Sequence, residues 1–157
     1  MLSPILLSAH NPGPMTGEGN NTYLLVGGNG EASLIDAGVG DPRHLDALAR
    51  QLDATRTTLT QVLVTHGHGD HASGAPALAT AYPGASFSKY PWPEEDVKYP
   101  APWRPVGDGD SVQAGDASLI ALRTPGHAPD HLAFWHQESG TIFTGDLIVL
   151  GSSVMIH

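Results

Sequence analysis

Four side chains with metal-ligating chemistry, His66, His68, Asp70 and His71, fall within six residues directly after the apolar run QVLVT at 61–65. No other feature constrains the fold as much. A buried strand has to end where a tightly folded polar loop begins, and Gly67 and Gly69 give that loop the small residues it needs. Packing has no use for three imidazoles and a carboxylate on a glycine loop, so the cluster points to a cation site. Imidazole and carboxylate donors suit zinc, and also iron(II) or manganese(II). Four such groups this close cannot easily all reach one tetrahedral ion, so two neighbouring ions are expected.

Two later clusters follow the same plan. TPGH at 124–127 closes the strand-like segment 118–123, and TGD at 144–146 closes the segment 141–144. Each puts a glycine just before a ligand-type side chain, His127 and Asp146. Loops held by a rigid sheet are where ligands and catalytic groups usually sit.

The rest of the chain reads as short strands and helices in one layered domain spanning 1–157. Residues 21–26 (NTYLLV) and 32–36 (ASLID), separated by a Gly- and Asn-rich turn, form a hairpin. Asp41 caps a helix opened by Pro42, with Leu45, Leu48, Ala49 and Leu52 on one apolar face. That face leaves His44 in solvent. A second helix is expected over 73–81, a strand over 85–88, and further strands over 118–123, 132–136 and 141–144. Five prolines between 90 and 105 forbid a regular ladder and predict a long surface loop. Strands and helices in this order give a mixed α/β layer architecture.

Composition narrows the function classes. With 40% apolar and 15% charged residues, the 157-residue chain is a compact globule rather than a disordered tail. Its formal charge of −9 repels polyanions, so RNA or DNA is a disfavoured general partner and a small-molecule substrate is favoured. The absence of cysteine rules out disulfides and thiolate ligands. The opening segment has neither a basic region nor a long apolar run, and no later run approaches a membrane span. The cytoplasm is therefore the default compartment.

THGHGDH, TPGH and TGD together resemble the metallo-β-lactamase superfamily, and NTYLLV with SLIDAG resembles its opening hairpin. RTPGHAPDHLAFW and TIFTGDLIVLGSS resemble the branch that contains the β-lactamase-like endoribonuclease. The resemblance implies an αββα sandwich. It implies that His66, His68 and His127 hold a first metal ion, that Asp70 and His71 hold a second, and that Asp146 bridges the two. Zinc is the expected metal, with iron or manganese as alternatives. A hydroxide between the ions is the implied nucleophile, with Asp70 and Asp146 as the catalytic carboxylates. Asp36 resembles the family's acidic residue that orients a ligand imidazole, and a strand-end cap is the equal alternative.

The chain departs from the family where it stops. A further ligand histidine and covering helices are expected beyond the TGD motif, and His157 stands too close to Asp146 for that role. A chain cut there is expected to expose apolar surface and to self-associate as a homo-oligomer. The leading expectation is a metal-dependent hydrolase of an ester, thioester or lactone. Phosphodiester cleavage of single-stranded RNA and an inactive metal-binding fragment are the alternatives. His131 is read as a strand residue at the surface, with a substrate contact or a supporting role behind the ligands as the alternative. The aromatic loop over 90–103 is read as one stapled to the core by tryptophan, with one wall of the substrate cleft as the alternative.

Overall fold

The structure is a computed structural model that describes residues 2–149 and 153–156; His157, weighed above as a ligand, lies outside the described residues. Among the described residues ten strands form two sheets. The larger runs β1 (Ile5–Ser8), β2 (Asn21–Val26), β3 (Glu31–Ile35), β4 (Thr58–Leu63), β5 (Ser86–Lys89) and β6 (Trp103–Pro105), hydrogen-bonded in that order. Its first three strands are antiparallel and its last four run parallel. The smaller sheet has the antiparallel order β10-β9-β8-β7, with β7 at Ser111–Ala114, β8 at Ala117–Arg123, β9 at Leu132–His136 and β10 at Thr141–Phe143.

The 21–26 and 32–36 runs pair as the expected hairpin, Tyr23 opposite Ile35 and Val26 opposite Ala32. Helix α1 (Pro42–Thr55) starts where Asp41 accepts the Arg43 backbone N–H at 2.8 Å and ends at Arg56 in the left-handed region. Its buried face differs from the expected one. His44, Leu48 and Leu52 are buried while Ala49 is exposed, because the His44 ring turns inward to Thr22 Oγ1 at 2.8 Å.

The second helix is divided into α2 (Gly69–Ala72) and α3 (Ala75–Ala81). Gly74, between them, is pressed on the loop after β3. A Cβ there would stand 2.1 Å from the Ala37 carbonyl oxygen, so only glycine fits.

The proline-rich loop also holds more structure than its composition predicts. It contains the short helix α4 (Pro93–Asp96) and then β6, which pairs with β5 through Phe87 and Trp103. Prolines are tolerated there because β6 is an edge strand, with one side free of ladder hydrogen bonds. Sequence periodicity also missed β1, β6 and β7, each only three or four residues long.

Two cores separate the layers. Leu24, Leu34 and Val62 face Leu48, Leu52 and Leu78 of the helices. On the other side of the larger sheet, Leu25, Ile35 and Leu63 meet Leu119, Phe134 and Phe143 of the smaller one. The outer face of the smaller sheet carries Ile120, Leu122 and Trp135, half-buried, and Ile142, exposed. Helix, sheet and sheet are thus present as the α/β sandwich requires. No helix among the described residues is long and apolar enough to cross a membrane.

Candidate metal centre

The loops that follow β3, β4, β8 and β10 meet at one place and carry every expected ligand with them. His66, His68 and His127 form one tight group, and His66, His71 and Asp146 a second that shares His66. In the first, His68 Nδ1 lies 3.1 Å from His66 Nε2 and 3.0 Å from His127 Nε2. In the second, Asp146 Oδ1 is 3.2 Å from His71 Nε2, while its other oxygen reaches to 3.4 Å of His127 Nε2. One carboxylate therefore faces both groups. Asp70 stands further out, its Oδ2 3.5 Å from His71 Nε2.

The far ring nitrogens of His66, His71 and His127 are engaged, which fixes where their near ones point. His71 Nδ1 donates to Asp36 Oδ2 at 2.8 Å, and His127 Nδ1 donates to the Met155 carbonyl at 3.0 Å. The Thr65 hydroxyl gives its proton to the Asp36 carboxylate, so its oxygen accepts from His66 Nδ1 at 3.1 Å. Nε2 of His66 and of His127 is then a bare lone pair aimed inward, while His71 Nε2 faces the Asp146 carboxylate. Lone pairs about 3 Å apart repel unless a proton or a cation lies between them, and this donor set fits divalent zinc, iron or manganese.

Asp36 is the hinge of the arrangement. It accepts the Thr65 backbone N–H at 2.7 Å, supports His71, and holds φ at +64°. A non-glycine residue in that region is strained and persists only where its surroundings over-determine it. Asp36 meets both sequence readings: it caps the end of β4 through the Thr65 backbone N–H and orients the His71 imidazole.

Electrostatics divide the histidines. Burial, reinforced by the imidazoles of His71 and His131, pushes the His66 pKa far below its ordinary value. Burial and His127 lower that of His68 as well. At His71 burial also opposes the charge, but Asp36 and Asp146 outweigh it and the pKa is raised. Burial works to raise the Asp146 pKa, yet His71 and then His127 hold it below the usual carboxylate range.

Two groups escaped the sequence reading, and His131 takes the less favoured of its two readings. His131 is not a surface residue: it is fully buried, its Nδ1 2.8 Å from Thr124 Oγ1, and its Nε2 accepts the Asp146 backbone N–H at 3.2 Å. Burial lowers its pKa to about 4. Its position in GHAPDH, four residues after His127, was the available signal. Lys89 and Asp130, both buried, pair at 2.9 Å, and Lys89 also reaches Asp96 of α4 at 2.5 Å. Asn20 extends from the loop before β2 to Asp70 and His71. Nothing in its local sequence marks it. Trp103 staples the aromatic loop to the core against Phe87, while Trp92 lies beside the site with its ring 6.1 Å from that of His68.

Comparison with known proteins accords with this geometry. The family described as the metallo-beta-lactamase superfamily matches residues 15–157. The lactamase-like protein adaB of Aspergillus niger is 40% identical over 139 residues, which cover 88% of this chain and 42% of that protein. The atrochrysone carboxyl ACP thioesterase of Aspergillus terreus is 36% identical over 150 residues, 94% of this chain and 45% of that enzyme. The chain thus spans a little under half the length of these relatives. Among solved structures, a metallo-beta-lactamase family protein of Thermus thermophilus superposes with a TM-score of 0.78 at 24% identity, over 98% of this chain and 61% of its own. TTHA1623, solved in a di-iron-bound form, gives a TM-score of 0.70 at 29% identity, over 96% of this chain and 74% of its own.

Proposed function

The chain belongs to the metallo-beta-lactamase superfamily, and from that premise we propose that it is the metal-binding part of a hydrolase acting on an acyl thioester, with esters and lactones as related substrates. The observation that carries the reading is the inward-facing triad of His66 Nε2, His68 Nδ1 and His127 Nε2, with Asp146 in reach of both ligand groups. His66, His68 and His127 would hold a first cation. Asp70 and His71 would hold a second, and Asp146 would contact both. Zinc is the metal we propose. The likeness to a di-iron protein keeps iron within the same donor chemistry.

Bound divalent ions would supply Lewis acidity at an acyl oxygen and a water of lowered pKa. The protein's share is orientation. Asp36 and Thr65 keep His71 and His66 in the tautomers that aim their lone pairs inward. His131 fixes the backbone from which Asp146 reaches the site. Trp92 gives an apolar wall for an acyl chain beside His68. The name of the A. terreus relative favours a thioester as the scissile group, and the net charge of −9 disfavours RNA.

The test is elemental analysis after dialysis, followed by side-by-side assays on an acyl thioester, a lactone and a short single-stranded RNA. Bound metal and thioester cleavage that disappear together in His68→Ala are the expected result. A folded chain that takes up no metal, or one that cleaves RNA alone, would overturn the proposal.

A further inference from the structure

Asn20 sits where the second ligand group is open. Its Nδ2 lies 3.0 Å from Asp70 Oδ2 and 2.9 Å from His71 Nε2. A carboxylate oxygen can only accept, so Asn20 Nδ2 donates to Asp70 Oδ2, and the same nitrogen stands against the His71 Nε2 that a cation would take. The amide nitrogen therefore stands against both atoms, Asp70 Oδ2 and His71 Nε2, that a cation between Asp70 and His71 would have to use.

The orientation of this amide is set from behind. The Asn20 backbone N–H donates to Asn11 Oδ1 at 2.9 Å, which fixes which end of the Asn11 amide is oxygen. Asn11 Nδ2 then donates to Asn20 Oδ1 at 3.0 Å. Turning the Asn20 oxygen toward the site would put two N–H groups face to face, and turning Asn11 as well would abandon its bond to the backbone. Gly19, at a φ of +121°, lets the chain pass so close to Asn11 that a Cβ would stand 3.2 Å from its backbone nitrogen. The Asn11–Asn20 pair is thus a built element that presents donors, not an acceptor, to the second ligand group.

We propose that Asn20 is a specificity-determining residue for cation loading: its amide competes for Asp70 and His71 and keeps the second position weaker than the first. The inference rests on the metal-binding reading above but concerns only the second position. The Asn20 amide nitrogen contacts Asp70 and His71, so the first group, His66, His68 and His127, should load independently of it.

The test is titration of the metal-stripped chain with zinc, read by calorimetry and by metal content after dialysis, for the wild type, Asn20→Ala, Asn20→Asp and Asn11→Ala. Asn20→Ala removes the competing donors and should tighten the second ion by about two- to tenfold, the range of one net hydrogen bond. Asn20→Asp puts a carboxylate in the same place and should tighten it further. Asn11→Ala frees the amide to turn and should act in the direction of Asn20→Ala, less strongly. The first ion should be unmoved in all four proteins, and far-UV circular dichroism checks that each is folded. A second ion bound equally or more weakly in Asn20→Ala, with the first intact, would overturn this inference alone. No zinc bound by any of the four would remove the metal-binding reading and this inference with it.

Discussion

At the scale of single residues, His44 shows how a tertiary contact sets a pH response. It is fully buried on α1, its Nε2 bonded to the Thr22 hydroxyl oxygen and its Nδ1 without a hydrogen-bond partner among the described residues. Burial, helped by the nearby His10, lowers its pKa from 6.5 to about 4. The folded state therefore binds His44's proton less readily than the unfolded state does. Its neutral form is compatible with folding in full above pH 6.5, and stability is lost as pH falls from there toward 4. That difference amounts to roughly 3 kcal/mol at most. Thermal melts of the wild type and His44→Gln should converge as pH drops through this window, with the variant showing the shallower acid loss. Parallel pH profiles would refute the assignment. His44 was legible as a helix residue but not as a buried one, because helical periodicity counts apolar side chains and an imidazole satisfied by one hydroxyl looks polar to it.

At the scale of elements, the segment from β5 to β6 is tied to the centre by a buried ionic cluster. Lys89, at the end of β5, forms an ion pair with Asp130 beside the His131 loop and donates hydrogen bonds to Asp96 of α4 and to the Tyr90 carbonyl. Lys89 and Asp130 are each only 1% exposed. Burial raises the Asp130 pKa even though Lys89 opposes it. A buried pair contributes little net stability, but removing one member leaves an uncompensated charge at a cost of about 3–5 kcal/mol. Lys89→Met should lower the melting temperature steeply, and Lys89→Met with Asp130→Asn should recover part of the loss. A single variant as stable as the wild type would refute the coupling. The same cluster bears on the site, since a Cβ on Gly67 would stand 3.2 Å from Asp130 Oδ2 and 3.3 Å from Trp92. Five prolines made this stretch read as an unstructured loop, because the lysine that organises it and the aspartates it binds are separated along the chain.

At the scale of the whole molecule, apolar surface gathers on one side. Ile142, 44% exposed on the outer face of the smaller sheet, and Ile148, 68% exposed, line one cleft with the exposed Met15. β10 is also an edge strand, with unpaired backbone groups on its outer side. Contiguous exposed apolar patches mark association surfaces. The 157-residue chain should therefore sediment as a dimer or larger species, and Ile142→Lys with Ile148→Lys should shift it toward monomer. A monodisperse wild-type monomer would remove the expectation of self-association.

What the sequence determined by itself was the local chemistry: the hairpin over 21–35, the capped helix after Asp41, and three ligand clusters, each placed just after a strand. These are legible because strand periodicity, turn residues and ligand spacing are short-range properties. Only the tertiary structure decided which distant groups serve those clusters. Asp36, His131 and Asn20 act across separations of 35, 15 and 51 residues on His71, Asp146 and His71 again. Gly145, at a φ of +51°, has no room for a Cβ because His131 and Thr65 would each lie 2.8 Å from it. Such contacts depend on where two sheets and their loops meet in space, which no run of neighbouring residues encodes.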